Sequence, residues 1–200
     1  MVSVGDDDAE DSLYACLGKG ADRAARLWDD ALEDADVLVV AQALAAFVRR
    51  EAPDLVLCGV QSSDGVNGAT GVAVAGLLDL PRVAVVKRLT VDGGTAEVER
   101  ELEGGLVETL RISLPALLTI QTGINEPRYA TMRAIRAARA KPLDVLRLSE
   151  LGIEAPALEA GAVRRALHAP ERARQAELLD GSAAEIADRI AEIVKERLVA

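Results

Sequence analysis

The chain has 200 residues, enough for one domain with an appendage, and half of them are hydrophobic, enough for a substantial core. A formal net charge of −10 argues against general nucleic-acid binding and against attraction to an anionic membrane surface. No apolar run reaches the ~20 residues that span a bilayer and no signal peptide is visible, so the sequence reads as cytoplasmic, without membrane insertion.

The aromatic residues are Tyr14, Trp28, Phe47 and Tyr129, so the core must be built from Ala, Val, Leu and Ile. The cysteines, Cys16 and Cys58, have neither a metal-ligand spacing nor the look of a secreted disulfide framework. Cys58 ends an apolar run and reads as a small core hydrophobe. The single histidine, His168, stands near Pro170 without a partner for a catalytic dyad and reads as solvent-exposed.

In chain order, Val2-Ser3-Val4-Gly5 reads as the end of a strand, and Asp6-Asp7-Asp8 suits the first turn of a helix reaching about Leu17. A second short strand is expected within 23–28. A domain that opens in mid-strand leads us to expect further sheet partners on its N-terminal side. Residues 35–50 carry a helical period, with Val39, Leu44, Phe47 and Val48 as candidate buried positions, and Pro53 ends it.

Residues 55–58 form a short apolar run between Pro53 and Gly59, as in a strand buried on both faces of a parallel sheet. Small and polar residues follow, with glycines at 59, 65, 68 and 71. A helix carrying Val72, Val74, Ala75, Leu77 and Leu78 then ends before Pro81. Strand, small-residue loop and helix make a phosphate site, because unpaired N–H groups and the helix dipole favour an anion at that turn. The loop is neither Gly-x-Gly-x-x-Gly nor a P-loop, and no Lys or Arg lies between Asp54 and Pro81. A triphosphate would be poorly neutralised there. A monophosphate held by backbone amides and by Ser62, Ser63, Asn67 or Thr70 suits the chemistry better. From chemistry alone, that reading and a purely structural turn both stand.

Beyond Pro81, residues 83–86 and 89–91 lead to Asp92-Gly93-Gly94, a hairpin signal. Residues 97–102 alternate apolar and charged, Gly104-Gly105 marks a second turn, and 106–112 a third strand. Residues 114–120 are apolar and can return to the buried sheet. The predicted fold is α/β: a Rossmann-like, mainly parallel sheet flanked by helices, with an inserted antiparallel meander. After an irregular stretch at 121–129, a helix over 130–141 carries Arg133, Arg136 and Arg139, which read as a solvated face. Residues 142–148 extend, and 151–170 read as a loose arm. Ser182, with Glu185 three residues on, caps a last helix with an apolar stripe of Ile186, Ile190, Ile193 and Val194. The organisation is thus a domain over 1–150 and a C-terminal arm and helix over 151–200, the helix suited to packing on this domain or another subunit.

Three segments resemble the β subunit of the electron transfer flavoprotein family. Residues 54–71 are similar to its AMP-binding loop. Residues 98–105, Val-Glu-Arg-Glu-Leu-Glu-Gly-Gly, resemble the family's Val-x-Arg-Glu-x-x-Gly-Gly signature. Asn125-Glu126-Pro127-Arg128-Tyr129, followed by a basic helix, Lys141-Pro142 and Leu151-Gly152, is the most specific of the three. The resemblance implies a Rossmann-like AMP-binding domain, with structural AMP at Gly59, Gln61, Ser62, Asp64, Asn67, Gly68, Ala69 and Thr70, and Val4 as a further member. It implies an electron carrier without bond-breaking catalysis of its own, paired with an α subunit that holds most of an FAD. The carrier would take electrons from acyl-CoA dehydrogenases and related flavoenzymes of fatty acid β-oxidation and pass them to a quinone-reducing system. It also implies partner contacts at Glu101, Ile124, Asn125, Glu126, Pro127, Arg128 and Tyr129. Ile124 stands where the family's dehydrogenase-docking loop has its apolar anchor, although a core residue after a strand reads the same way. Glu101 matches an acidic residue facing the mobile FAD domain, and by itself reads as a solvated strand charge.

Family members begin with a longer N-terminal segment, so the resemblance implies a fragment, a misplaced start or a shortened variant. Bifurcating relatives, which hold a second FAD in place of AMP, show Asp-Gly-Asp-Thr-Ala-Gln-Val-Gly-Pro in the loop. Asp64-Gly65-Val66-Asn67-Gly68-Ala69-Thr70-Gly71-Val72 matches this only in part, which favours AMP. A stand-alone adenine-nucleotide-binding regulator, similar to universal stress proteins, is the competing reading, but it leaves Asn125–Tyr129 and the meander unexplained. An ATP-cleaving enzyme of related fold would need a Ser-Gly-Gly-x-Asp-type loop, which is missing.

Overall fold

A computed structural model describes residues 1–63, 65–158, 160–163, 165–166, 168–169 and 178–198. Its elements run β1 (Val2–Val4), α1 (Ala9–Gly18), β2 (Ala25–Leu27), α2 (Val37–Glu51), β3 (Leu55–Gly59), α3 (Thr70–Leu77), β4 (Arg82–Asp92), β5 (Thr95–Glu101), β6 (Val107–Ser113), β7 (Ala116–Ile120), α4 (Met132–Ala138), β8 (Asp144–Leu146) and α5 (Ala183–Leu198), joined by turns and short 3-10 segments. They form two compact units, residues 1–164 and 165–200.

The first unit holds two sheets. One is parallel, in the order β1-β2-β8; the other runs β3-β7-β4-β5-β6, parallel across β3, β7 and β4 and antiparallel from β4 to β6. The fold is therefore α/β with a mainly parallel arrangement and an antiparallel meander, as the sequence implies. Gly93 and Gly94 make the expected two-residue turn, with Gly93 at φ +56°.

Helix α2 is the part that both sheets share. Asp36 caps it, its Oδ1 accepting from the N–H groups of Leu38 and Val39 at 3.1 and 2.9 Å. At the other end Ala52 turns left-handed and Pro53 prevents continuation. Val39 and Ala43 pack with Leu27, Leu32 and Leu148, whereas Ala41 and Ala45 pack with Val74, Ala75 and Leu117. Val39 is buried as expected, but Leu44, Phe47 and Val48 are only half-buried, and alanines take most of the buried positions. A small Cβ lets the helix approach its neighbours closely, and the larger side chains reach out at the flanks.

The apolar run at 55–58 is not the doubly buried strand. Among the described residues β3 is an edge, paired only with β7, and Leu57 is 54% exposed. The interior strand is β7, where residues 116–119 are buried between β3 and β4. Two short aliphatic runs look alike in sequence, and only the long-range pairing order decides which one is covered. The stretches at 83–86 and 89–91 also belong to one strand, β4, which carries irregularities at Val83–Val86 against β7 and Val86–Arg88 against β5.

Part of the expected loose arm is fastened. Ile153 and Leu158 pack on the cluster around Leu27, and Asp36 Oδ2 accepts from the N–H groups of Gly161 and Ala162 at 2.6 and 2.8 Å. The Val39 N–H, and then those of the arm, hold the Asp36 carboxyl below its usual value of 3.8. A lowered carboxyl stabilises the fold above that usual value and loses its contribution as pH falls through the lowered one. Asp36→Ala is thus expected to cost about 0.5–2 kcal/mol near neutrality, the usual worth of an N-cap. It should also speed proteolysis of the arm. Thermal unfolding of both proteins followed from pH 6 downwards checks this: the gap should narrow below pH 3.8.

Helix α5, in the second unit, starts with the expected capping box. Glu185 Oε2 accepts from Ser182 N and Oγ at 2.8 and 2.7 Å, and the Glu185 N–H donates back to Ser182 Oγ. Ile186 and Ile193 are half-buried, while Ile190 and Val194 are about half exposed. His168 is exposed, and Cys16 and Cys58 are free thiols. No described helix is long and apolar enough to cross a membrane.

Candidate functional site

Strand β3 ends at Gly59, and the chain crosses an exposed turn before α3 begins at Thr70. Ser62 Oγ accepts the Gly65 N–H at 3.3 Å, which tightens the first half of this turn. Val66 at φ +51° and Gly68 at φ +60° bring the second half back to the sheet. Gly59, Gln61, Ser62, Asn67 and Gly68 are exposed, and Ala69 and Thr70 are half-buried; Asp64 lies outside the described residues. Helix α3 has no side-chain cap at Ala69. Its first N–H groups are therefore the ready donors, next to a loop without a cation. Such a donor set fits a monophosphate better than a triphosphate. Val4, by contrast, packs its side chain on the cluster around Leu27, which leaves its backbone for any contact with a ligand.

A second loop leaves β7 beside this turn. Gln121 donates its N–H to Val86 O at 2.9 Å, Gly123 adopts φ +89°, and Thr131 caps α4 by accepting the Ala134 N–H at 3.2 Å. A cleft of about 690 Å³ lies between the end of β3 and this second loop, with Leu57, Cys58 and Gly59 on one side and Gln121, Gly123, Ile124, Asn125 and Pro127 on the other. No aromatic side chain lines it among the described residues. Burial behind the turn pushes the Cys58 thiol pKa upward, in keeping with a packing role.

The expected docking residues separate into two kinds. Ile124 is half-buried and packs on the cluster of Val83, Val86, Ala96, Val98 and Leu118, so it supports the loop. Asn125, Glu126, Pro127, Arg128 and Tyr129 are exposed, Tyr129 at 86%. Asn125 Nδ2 donates to Glu126 O at 3.3 Å. The Arg128 guanidinium lies over Gly20, where a Cβ would meet Nη1 at 3.4 Å. That places a cation past the C-terminal end of α1, where the helix dipole favours it. Of the basic residues on α4, Arg133 and Arg136 are solvated as expected. Arg139, the residue that follows α4, is exposed as well, but it donates to Asp11 at 2.6 Å and stacks 5.4 Å from the Tyr14 ring centroid.

Glu101 is exposed at the end of β5, and Lys87 Nζ donates to its Oε2 at 2.5 Å. The hydrogen bond from Lys87, with its charge, holds the Glu101 carboxyl below its usual value. Lys87 escaped the sequence reading, because it reaches Glu101 only through the irregular β4–β5 pairing. Thr119 and Val85 escaped it as well. A lone threonine in the aliphatic run 116–120 was the available signal. Among the described residues no group of three His, Cys, Asp or Glu side chains could hold a metal ion.

The family model described as "Electron transfer flavoprotein domain" matches residues 1–151. The chain is 45% identical over 202 residues to "Electron transfer flavoprotein subunit beta" of Methylophilus methylotrophus, a match covering 98% of this chain and 76% of that one. It is 33% identical over 195 residues to the Bacillus subtilis protein of the same name, covering 97% and 76%. With the Sus scrofa protein, also so named, it shares 39% identity over 155 residues, 76% of this chain and 60% of that one. The chain belongs to the electron transfer flavoprotein family, among its β subunits.

Proposed function

We propose that this chain is the β-type subunit of a heterodimeric electron carrier, holding AMP as a structural group and presenting a docking loop to flavin dehydrogenases. The observation that carries the reading is that β3 and β7 end side by side, Gly59 opposite Ile120. The cation-free β3–α3 turn, with its uncapped helix start, therefore leaves the sheet next to the loop that leads to Asn125–Tyr129. The α3 N–H groups, with Ser62, Asn67 and Thr70 nearby, suit the phosphate of AMP, and Gly59 and Gly68 let the backbone come close.

FAD, held mostly by the α subunit, supplies the redox chemistry when bound. This chain contributes position: the exposed part of the loop meets the acyl-CoA dehydrogenase or a related enzyme. Glu101, kept ionised by Lys87, offers a carboxylate to a cation on the moving flavin domain. Electrons then pass to a quinone-reducing acceptor in the cytoplasm.

Coexpression with a family α subunit tests this. A yellow 1:1 complex reducible by an acyl-CoA dehydrogenase is expected, whereas the chain alone should be colourless and inert. Stoichiometric FAD binding or ATP hydrolysis by the chain alone would overturn the reading.

A further inference from the structure

We propose that Thr119 is a positioning residue that ties the start of α3 to the loop after β7, so that order at the nucleotide turn is transmitted to the docking loop. The roles of the two loops rest on the function proposed above; the tie between them does not.

Thr119 is the one polar residue of β7 and is 3% exposed. Its methyl group seats α3: Gly71 is buried in the first turn of that helix, and a Cβ there would come within 2.9 Å of Thr119 Cγ2 and 3.1 Å of Cys58 Cβ. Its hydroxyl oxygen accepts the Val85 N–H at 2.9 Å. A valine would fill the same space, so packing does not account for the hydroxyl; the Val85 N–H does.

Val85 needs that partner. Its φ of +62° is one that β-branched residues rarely adopt and that persists only when the surroundings hold it. It belongs to the irregular stretch of β4: Val83 faces Leu118 and Val86 faces Ile120, so Ala84 and Val85 stand opposite Thr119 alone. The next carbonyl, that of Val86, accepts the Gln121 N–H at 2.9 Å and sets where the docking loop departs. The contacts run without a gap from Gly71 through Thr119, Val85 and Val86 to Gln121. A ligand that stills the first turn of α3 thereby firms the docking loop, and by linkage a docked partner tightens that ligand.

The test uses the complex with an α subunit and reads amide hydrogen exchange at Val85 and Gln121, together with the KM for the dehydrogenase. Gly71→Ala should drive its new methyl into Thr119 Cγ2, raise exchange at both amides about tenfold or more and raise KM, with kcat and flavin content held. Thr119→Ser keeps the hydroxyl and removes the methyl. The double variant Gly71→Ala/Thr119→Ser should therefore recover much of the wild-type protection, the 3.1 Å approach to Cys58 Cβ being all that remains. Unchanged Gln121 exchange in Gly71→Ala, or no recovery in the double variant, overturns the proposal. Should Gly71→Ala not fold, Thr119→Val and Thr119→Ser decide: faster Gln121 exchange in the valine variant only is expected, and equal exchange overturns it. Added AMP should slow Gln121 exchange in the wild type. Failure of the wild type to bind AMP would sink the functional reading, while the comparison of variants still decides the role of Thr119.

Discussion

Leu117→Ala lowers the free energy of unfolding by about 2–5 kcal/mol, a large share of the roughly 5–15 kcal/mol that holds a domain of this size. The expectation follows from where the side chain lies. Leu117 is fully buried in the interior strand β7 and packs against Ala41 and Ala45 of α2 and Val74 and Ala75 of α3. Three of those four neighbours are alanines, too short to fold into the space left behind. The cavity therefore stays open, and its cost adds to the lost transfer energy. Leu57→Ala on the edge strand β3 provides the contrast, because Leu57 is already 54% exposed. It should cost less than about 1 kcal/mol. Urea unfolding measures both: the midpoint should fall sharply for Leu117→Ala and hardly for Leu57→Ala, with slopes unchanged. Equal shifts would mean that the interior strand has been misassigned.

Gly68→Val is expected to reduce AMP retention by the complex by about tenfold or more. The cost is conformational rather than steric. A Cβ at Gly68 finds its nearest neighbours 3.8 Å away, yet φ is +60°, a region that costs a non-glycine residue about 1–3 kcal/mol. Val85 shows that the fold can hold a valine there, but with a buried hydroxyl pinning its N–H. Among the described residues Gly68 has no such brace, so the turn should relax away from the phosphate. AMP released from the denatured complex, set against its flavin content, reads the effect. Full AMP occupancy in the variant would show that the ligand does not depend on this turn.

The local devices were legible because each is written within a few residues. The Gly93-Gly94 hairpin, the Ser182–Glu185 capping box, the break at Pro53 and the strand–loop–helix order around Gly59 all follow from neighbouring side chains. The family-like segments were legible in the same way. What needed the structure was long-range. The run 55–58 and the run 116–120 are both short and aliphatic, and only pairing order makes the first an edge and the second the interior. Ile124 read as a docking anchor ahead of a core residue, and only the structure shows it half-buried against the cluster that holds Val86 and Leu118. Asp36 reaches Gly161 and Ala162 across 125 and 126 residues, and Thr119 reaches Val85 across 34, separations at which no periodicity speaks.

The central claim is that this chain holds a structural adenylate beside a flavin owned mainly by its partner subunit. The most direct measurement is to denature the purified complex with an α subunit and quantify what it releases per heterodimer. One FAD and one AMP are expected, with neither carried stoichiometrically by the isolated chain. Two FAD and no AMP would put the chain in the bifurcating branch, and FAD without any second nucleotide would contradict the account of the β3–α3 turn.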